Sequence, residues 1–284
     1  MIQKQIGLIL LAAGIVFGIW ILASAAKHRD DFKSEAGSLP ALCLAEVLIY
    51  FCATLGISDF LLNTLTLRGL HLAEDKKIPG TLIAAGLTPG AVIAFSLLQV
   101  ENPVDLLTLL LCAASITLGG ALGSRIVGRI DGSKIKRVMG IALIASMIAL
   151  IAKIIIASGA TGTATGLTAK QLCIAIPYSI LWGMMNMLGV PGKPAGTAFF
   201  LLMGMSPLST LTLVLVMACI GPMGGAFSVL KNGRYHRKLS CAAVIFGSIG
   251  AIAGCIFAIS VNALVLNILL IAVMLIAIVS LLKK

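Results

Sequence analysis

Residues 186–197 read Asn186-Met187-Leu188-Gly189-Val190-Pro191-Gly192-Lys193-Pro194-Ala195-Gly196-Thr197. This stretch cannot form an uninterrupted helix, because Pro191 and Pro194 each lack a backbone donor and the glycines between them loosen the turns. Apolar runs at 172–188 and 198–205 flank it. The sequence therefore predicts a helix that is broken at membrane depth, where unwound backbone is stable only against protein or around a water-filled cavity.

Lys193 is the charged residue of this break. An ammonium group at membrane depth costs about 3 kcal/mol or more on insertion scales, and it marks a candidate functional site with an anionic partner. The alternative is that the break is a surface loop, from which Lys193 extends its ammonium group to the interface.

The composition is that of a polytopic membrane protein. Of the 284 residues, 60% are hydrophobic and 11% are charged, with a mean hydropathy of +1.11, so one soluble core could not bury the apolar surface. Nine apolar runs approach the roughly 20 residues that span a bilayer. They begin near Ile6, Ala41, Gly80, Val104, Ile135, Leu172, Pro207, Leu239 and Ala263. We expect the first run to be a retained helix, since no small-residue cleavage site precedes a polar mature domain.

Several classes of function are disfavoured by the residues present. The net charge of +11 comes from short basic clusters between apolar runs, which orientation in a membrane requires, so we do not expect nucleic-acid binding. The seven cysteines fall within apolar runs without a CxxC pair, and no metal or cofactor is expected. The apolar runs contain no recognisable nucleophile and base pair, so we do not expect an enzyme.

An internal repeat is indicated by three matches in the same order. At offsets of 133, 132 and 131 residues, they pair 55–58 with 188–191, 94–98 with 226–230, and 119–123 with 250–254. Repeats of this kind are a hallmark of transporters. We therefore expect an extra N-terminal helix and basic loop at 1–40, a first repeat at 41–158 and a second repeat at 170–284.

Loop charge favours one topology for these repeats. If each broken segment re-enters and leaves on one side, 17 Lys and Arg residues lie inside and three outside. If each broken segment crosses fully, the better orientation places only nine inside and 11 outside. Because cytoplasmic loops collect Lys and Arg, the first arrangement is preferred. It makes the repeats inverted, with seven full crossings, and it places 27–40, 68–77, 125–137, 231–238 and the C-terminus inside.

The inverted topology brings the two hairpin tips together between the repeats. Free backbone N–H groups and positive dipole ends of half-helices at the tips favour a small anion over a cation. The candidate substrate-binding residues are Lys193, Gly192, Pro191, Ser58, Asn63, Asn186 and Thr197. The polar side chains among them could instead form hydrogen bonds with backbone groups of the unwound segments.

Asp59 and Glu46 are the acidic residues within apolar runs. An ion pair between Asp59 and Lys193 would offset part of each desolvation cost and give both residues a structural role. In the functional alternative, Lys193 binds the substrate while Asp59 or Glu46 takes up a proton, because burial favours a neutral carboxyl group. The sequence leaves both readings open.

The chain resembles the sulfite exporter TauE/SafE family, also called the toluene sulfonate uptake permeases, over about residues 44–282. The resembling segments are 117–126, 135–137, 188–192, 204–207 and 224–232. The resemblance implies transport of small sulfur-containing anions and related organic acids. Family members often carry glycine runs at both breaks, whereas Ser58-Asp59 and 191–194 stand there in this chain. This departure leaves the implied fold intact and the substrate open.

We therefore predict an all-α polytopic membrane protein with two inverted repeats and broken, re-entrant helices. The predicted function is secondary transport of sulfite, an organosulfonate or a related carboxylate anion across the inner membrane by alternating access. The alternative is a small-anion channel. The expected partners are the anion and the bilayer, and the sequence leaves open both a homodimer and coupling to a proton or sodium gradient.

Overall fold

The computed structural model describes residues 2–99, 104–127, 148 and 162–260. Over these residues the chain is helical and contains no strand, apart from an isolated bridge between Ala164 and Met205. The helices are α1 (Ile2–Lys27), α2 (Arg29–Ser34), α3 (Leu39–Thr54), α4 (Asp59–Gly69), α5 (Ile78–Gln99), α6 (Leu106–Val127), α7 (Ala169–Met187), α8 (Lys193–Leu202), α9 (Pro207–Asn232), α10 (Arg237–Ala242) and α11 (Ser248–Ser260), with a π-helical turn (Ala243–Gly247) joining the last two.

Within the described part of the chain, five helices are long and apolar enough to cross a membrane. They are α1, α5, α6, α9 and the continuous helix Arg237–Ala258. The prediction of a multi-pass helical membrane protein is confirmed by these five spans. The predicted runs that begin near Ile135 and Ala263 lie outside the described residues, so the expected total of nine segments stays a prediction.

The predicted break in the second half of the chain is confirmed, and it is shorter than expected. Helix α7 ends at Met187, and α8 begins at Lys193. Gly189 adopts a φ of 78°, a left-handed conformation that glycine tolerates best at the end of a helix. Pro194 lies in the first turn of α8, where a missing N–H group is tolerated.

The same turn occurs 133 residues earlier, between α3 and α4. Gly56 has a φ of 83°, and each turn is closed by three backbone hydrogen bonds in the same pattern. The donors and acceptors are Leu55 to Cys52, Gly56 to Ala53 and Ile57 to Cys52 in the first turn, and Leu188 to Met185, Gly189 to Asn186 and Val190 to Met185 in the second. These bonds satisfy the last carbonyls of each preceding helix, so the two turns are equivalent backbone structures.

Each broken segment returns to the end of the bundle where it started. The side-chain amide of Gln171, at the start of α7, donates to the carbonyl of Met203, just after α8, at 2.8 Å. Gly37, just before α3, approaches Leu72 beyond α4, since a Cβ at Gly37 would lie 3.1 Å from the Leu72 side chain. Both segments are therefore helical hairpins that start and finish at the same end of the bundle.

The connections group at two opposite ends of the bundle. At the basic end, Glu35 accepts hydrogen bonds from the backbone N–H groups of Arg237 and Lys238, at 2.9 and 2.7 Å. At the opposite end, Asp105 donates its N–H to Thr165 at 2.8 Å. The Lys and Arg residues at the basic end are Lys27, Arg29, Lys33, Arg68, Lys76, Lys77, Arg125, Lys231, Arg234, Arg237 and Lys238, against Lys4 and Lys170 at the opposite end. Among the described residues, the Lys- and Arg-rich loops therefore lie at one end of the bundle, as the count of loop charges predicts.

Glycines bring helices from distant parts of the chain into close contact. A Cβ at Gly123 of α6 would lie 2.8 Å from the Met184 carbonyl of α7, and one at Gly254 of α11 would lie 2.8 Å from the Phe51 carbonyl of α3. These distances are too short for any larger residue, so the two glycines permit the close helix packing.

We predict that Gly123→Leu and Gly254→Leu each reduce the yield of folded protein and the melting temperature in detergent. A leucine at either position would force two backbones apart, and overpacking typically costs about 1–3 kcal/mol. Ala114→Leu in α6 and Ala253→Leu in α11 are matched controls, because both alanines are exposed. Normal yield and melting temperature for both glycine variants would contradict this packing role.

A buried histidine lies beside the Glu35 contact at the basic end. His236 caps α10, because its Nδ1 accepts the N–H of Leu239 at 3.1 Å, and only 1% of the residue is exposed. Burial lowers the pKa of His236, although the nearby Glu35 carboxylate acts in the opposite direction. We favour the lowered pKa, because an Nδ1 that accepts a hydrogen bond carries no proton.

This cap predicts a loss of stability at acidic pH. Since the pKa of His236 is lower in the folded state, the unfolded chain binds more protons just below the usual value of about 6.5, and stability falls as the pH decreases through that window. His236→Asn keeps a capping oxygen but removes the titration. Melting temperatures between pH 8 and 5 should therefore fall more steeply for the wild type than for this variant. Parallel curves would contradict the assignment.

Candidate functional site

The tips of the two hairpins meet in a buried ion pair. Lys193 Nζ lies 2.6 Å from Asp59 Oδ1, and the two side chains are only 8% and 10% exposed. Lys193 is the first residue of α8 and Asp59 is the first residue of α4. The alternative of a lysine in a surface loop is therefore wrong, and the pairing considered from the sequence is present in this structure.

The two helix starts differ in how they are capped. Ser58 accepts the N–H of Leu61 at 3.4 Å and caps α4, whereas Gly192 offers α8 no side-chain cap. A carboxylate is stabilised at the positive end of a helix and an ammonium group is destabilised there. Asp59 is thus favourably placed, while Lys193 depends on a nearby anion.

Two small cavities lie on either side of the ion pair, and both are lined by Asp59 and Lys193. One extends towards Trp182 and Asn186 of α7, and the other extends towards Tyr50 of α3. Each has room for about one water molecule. A sulfite-sized anion therefore needs the hairpins to separate before it can reach Lys193.

The substrate-binding candidates identified from the sequence differ in the contacts that they make in the structure. Ser58 and Thr197 make local backbone contacts, since the Thr197 hydroxyl donates to the Lys193 carbonyl at 2.9 Å. Asn186 lines the cavity beside Lys193. Pro191 is buried in the turn. Thr197 thus has the local backbone role that we considered, whereas Ser58 combines such a role with a place in the wall of the cavity beside Lys193.

Two aromatic residues that the sequence did not single out belong to the site. The Trp182 ring packs against Gly192 and Gly196, where a Cβ at Gly196 would lie 2.6 Å from the ring. The hydroxyl of Tyr50 faces Gly86, as does Asp59 Oδ2, at 3.7 and 3.6 Å from the position of a Cβ. Both side chains come from apolar helices, and no local motif marks them.

Trp182 and Tyr50 bring unused hydrogen-bond donors to the two cavities. Trp182 Nε1 and the Tyr50 hydroxyl are buried and have no hydrogen-bond partner within the described residues. A buried donor without a partner costs about 1–3 kcal/mol. Each of them could gain a hydrogen bond from an anion that enters its cavity.

Glu46 lies apart from the ion pair, deep in α3. It is fully buried, and Asn63 of α4 lies beside it, but neither carboxylate oxygen makes a hydrogen bond of good geometry within the described residues. No cation is paired with it in that part of the chain. Glu46 and Asn63 thus form a second buried polar position.

The groups around the ion pair are suited to binding an anion. Within the described residues, no group of three His, Cys, Asp or Glu side chains could hold a metal ion. The site offers one ammonium group, an uncapped helix start and two unused donors. These groups suit an oxyanion that takes the place of the Asp59 carboxylate.

The geometry of the pair predicts a strong energetic coupling. Lys193→Gln and Asp59→Asn should each destabilise the protein by about 3–5 kcal/mol, because each leaves one buried charge without its partner. The double variant should recover most of that loss, since no buried charge remains at the pair. Lys170→Gln is the control, because Lys170 is an exposed lysine at the opposite end. Additive losses in a double-mutant cycle of unfolding free energies would contradict the coupling.

Comparison with known proteins adds no relative to this description. No family model matches the chain, and neither the curated proteins nor the solved structures contain a match. The resemblance to the TauE/SafE family stays a prediction.

Proposed function

We propose that this chain is a secondary transporter that carries a small anion across the inner membrane by alternating access. The observation that carries the proposal is the buried pair of Lys193 and Asp59 at the meeting point of two helical hairpins. Ionisable groups at such a position are expensive and typically mark a substrate or ion pathway. A transporter of the TauE/SafE type, for sulfite, an organosulfonate or a related carboxylate, fits this arrangement best.

The proposal includes two inverted repeats. Support comes from the equivalent turns at Gly56 and Gly189, which enter from opposite ends of the bundle. Further support comes from Pro89 of α5 and Pro222 of α9, which lie inside long helices at the same offset of 133 residues. Transporters of this architecture bind their substrate at the interface of the repeats.

An anion is a better substrate for this site than a cation. Lys193 stands at the positive end of α8, whose first turn has no side-chain cap. Trp182 Nε1 and the Tyr50 hydroxyl add donors on either side of the pair. The only negative charge in the pair is the Asp59 carboxylate. When this carboxylate moves away, the positive and hydrogen-bond-donating groups attract another anion in its place.

In the transport cycle, Lys193 exchanges one anionic partner for another. Its ammonium group requires a counterion while it is buried, and Asp59 fills that role in the closed state. Separation of the hairpins admits the substrate, which binds Lys193 in place of Asp59. Release of the substrate on the other side restores the ion pair and resets the site.

Coupling to a proton gradient follows from the same exchange. When the substrate occupies Lys193, Asp59 is left as a buried carboxyl group without a cation, and proton uptake removes the cost of that charge. Glu46, which is fully buried two turns before the break, is the second group that can carry the proton. A sodium ion bound at the carboxylate would neutralise its charge in the same way.

The test is uptake into proteoliposomes that contain the purified chain. Sulfite, thiosulfate, methanesulfonate and acetate are offered with and without an inward proton or sodium gradient, and each is also screened for a rise in melting temperature. We expect saturable, gradient-driven uptake of at least one anion. Flux that does not saturate and follows only the anion's own gradient would point to the small-anion channel. Absence of both flux and stabilisation for all anions would contradict the proposal.

Variants of the pair then separate binding from folding. Lys193→Gln should weaken anion affinity by about 2–5 kcal/mol, while Lys170→Gln should transport normally. The double variant Lys193→Gln with Asp59→Asn should recover stability without recovering uptake. Transport by a stable double variant would show that Lys193 is only a structural partner of Asp59 and that the anion binds elsewhere.

A further inference from the structure

A cavity of about 520 Å³ opens at the basic end, away from the hairpin tips. It lies between the end of α1, α2, the start of α3 and the helix that begins at Arg237. Its walls are mostly apolar and include Leu22, Ala25, Cys43, Ile245 and Phe246. The transport proposal does not use this cavity.

The polar part of the cavity is positively charged. Arg29 and Lys33 line it, whereas no carboxylate does. Because these two residues are four apart on α2, they lie on the same face of that helix as Phe32, which also lines the cavity. Neither forms an ion pair within the described residues.

None of the acidic residues near α2 lines the cavity. Asp31 pairs with Arg237 at 3.3 Å. Glu35 accepts the N–H groups of Arg237 and Lys238. The face of α2 towards the cavity therefore presents two cations without counterions, which makes the cavity complementary to an anionic group.

The apolar part runs into the depth of the bundle and opens sideways. Leu22 lies five residues before the end of α1 at Lys27, which is roughly 8 Å along the axis of that helix. Leu22, Ile245 and Phe246 are 36%, 49% and 38% exposed, so this part opens on the apolar surface of the bundle. The π-helical turn contains both Ile245 and Phe246, and such turns are frequent at functional sites.

We propose that this cavity binds an anionic phospholipid of the surrounding bilayer. The phosphate lies between Arg29 and Lys33, and one acyl chain follows Leu22, Ile245 and Phe246. The basic end is the one that the charge distribution assigns to the cytoplasm, where the anionic leaflet attracts Lys and Arg. A soluble anion would gain nothing from the apolar wall, and a zwitterionic lipid, whose own ammonium group neutralises its phosphate, would gain less from the two cations.

The test compares two lipids with identical acyl chains on the purified full chain. Phosphatidylglycerol and phosphatidylcholine are titrated in detergent, with binding followed by native mass spectrometry. We expect phosphatidylglycerol to bind at least about tenfold more tightly, since each basic residue near an anionic headgroup contributes about fivefold. Equal binding of the two lipids would overturn the proposal.

Three variants assign the binding to this cavity. Arg29→Gln with Lys33→Gln should abolish the preference for phosphatidylglycerol, whereas Lys76→Gln with Lys231→Gln, which removes two charges from the same end outside the cavity, should keep it. Ala26→Trp should reduce the binding of both lipids, because Ala26 lines the cavity and is exposed. Unchanged preference in the first variant would overturn the site. Binding of glycerol phosphate as tight as that of phosphatidylglycerol would overturn the role of the acyl chain.

Discussion

The ammonium group of Lys193 needs a counterion, and the arrangement of the two hairpins supplies it. A buried cation without a partner would cost several kcal/mol, and Asp59 removes much of this cost by approaching to 2.6 Å. The two residues are 134 positions apart, so their contact requires the first and second halves of the chain to be assembled together. The pair thus links the stability of each hairpin to the position of the other.

The same contact explains why the site is closed. Asp59 and Lys193 separate two cavities that each hold about one water molecule, and the Trp182 ring packs on the first turn of α8. Any anion that reaches Lys193 has to displace the Asp59 carboxylate, which already lies within hydrogen-bonding distance of Lys193 Nζ. In the proposed transport cycle, this competition makes binding conditional on a conformational change, as alternating access requires.

Each hairpin is held in place by close helix contacts with the other half of the chain. Each hairpin's first helix packs on a helix from the other half of the chain, α3 on α11 and α7 on α6, through Gly254 and Gly123. Glycines at these contacts allow carbonyls of the hairpin helices to lie against a neighbouring backbone. At the basic end, Glu35 accepts backbone hydrogen bonds from the start of α10, and these bonds anchor the base of the first hairpin.

Much of the fold could be predicted from the sequence because its signals are local. Glycine marks both breaks, and proline also marks the second one, through the backbone conformations they permit. Apolar runs mark the spans, and loop charge groups the connections. Lys193 and Asp59 could be recognised as unusual because a charge in an apolar run is visible without any partner. The pairing itself could only be offered as one of two alternatives, since its energy depends on a distance between two halves of the chain.

The tertiary structure decided what local signals do not contain. Trp182 and Tyr50 look like ordinary core aromatics in the sequence, and they become part of the site only because folding buries their donors beside the ion pair. Ser58 and Thr197 were candidates for the substrate, but the backbone of their own helices takes up their hydroxyl groups. The sequence alone determined the broken, multi-pass helical architecture. Packing between distant segments decided which groups face each other at its centre, because the partner of a side chain depends on which surfaces come into contact.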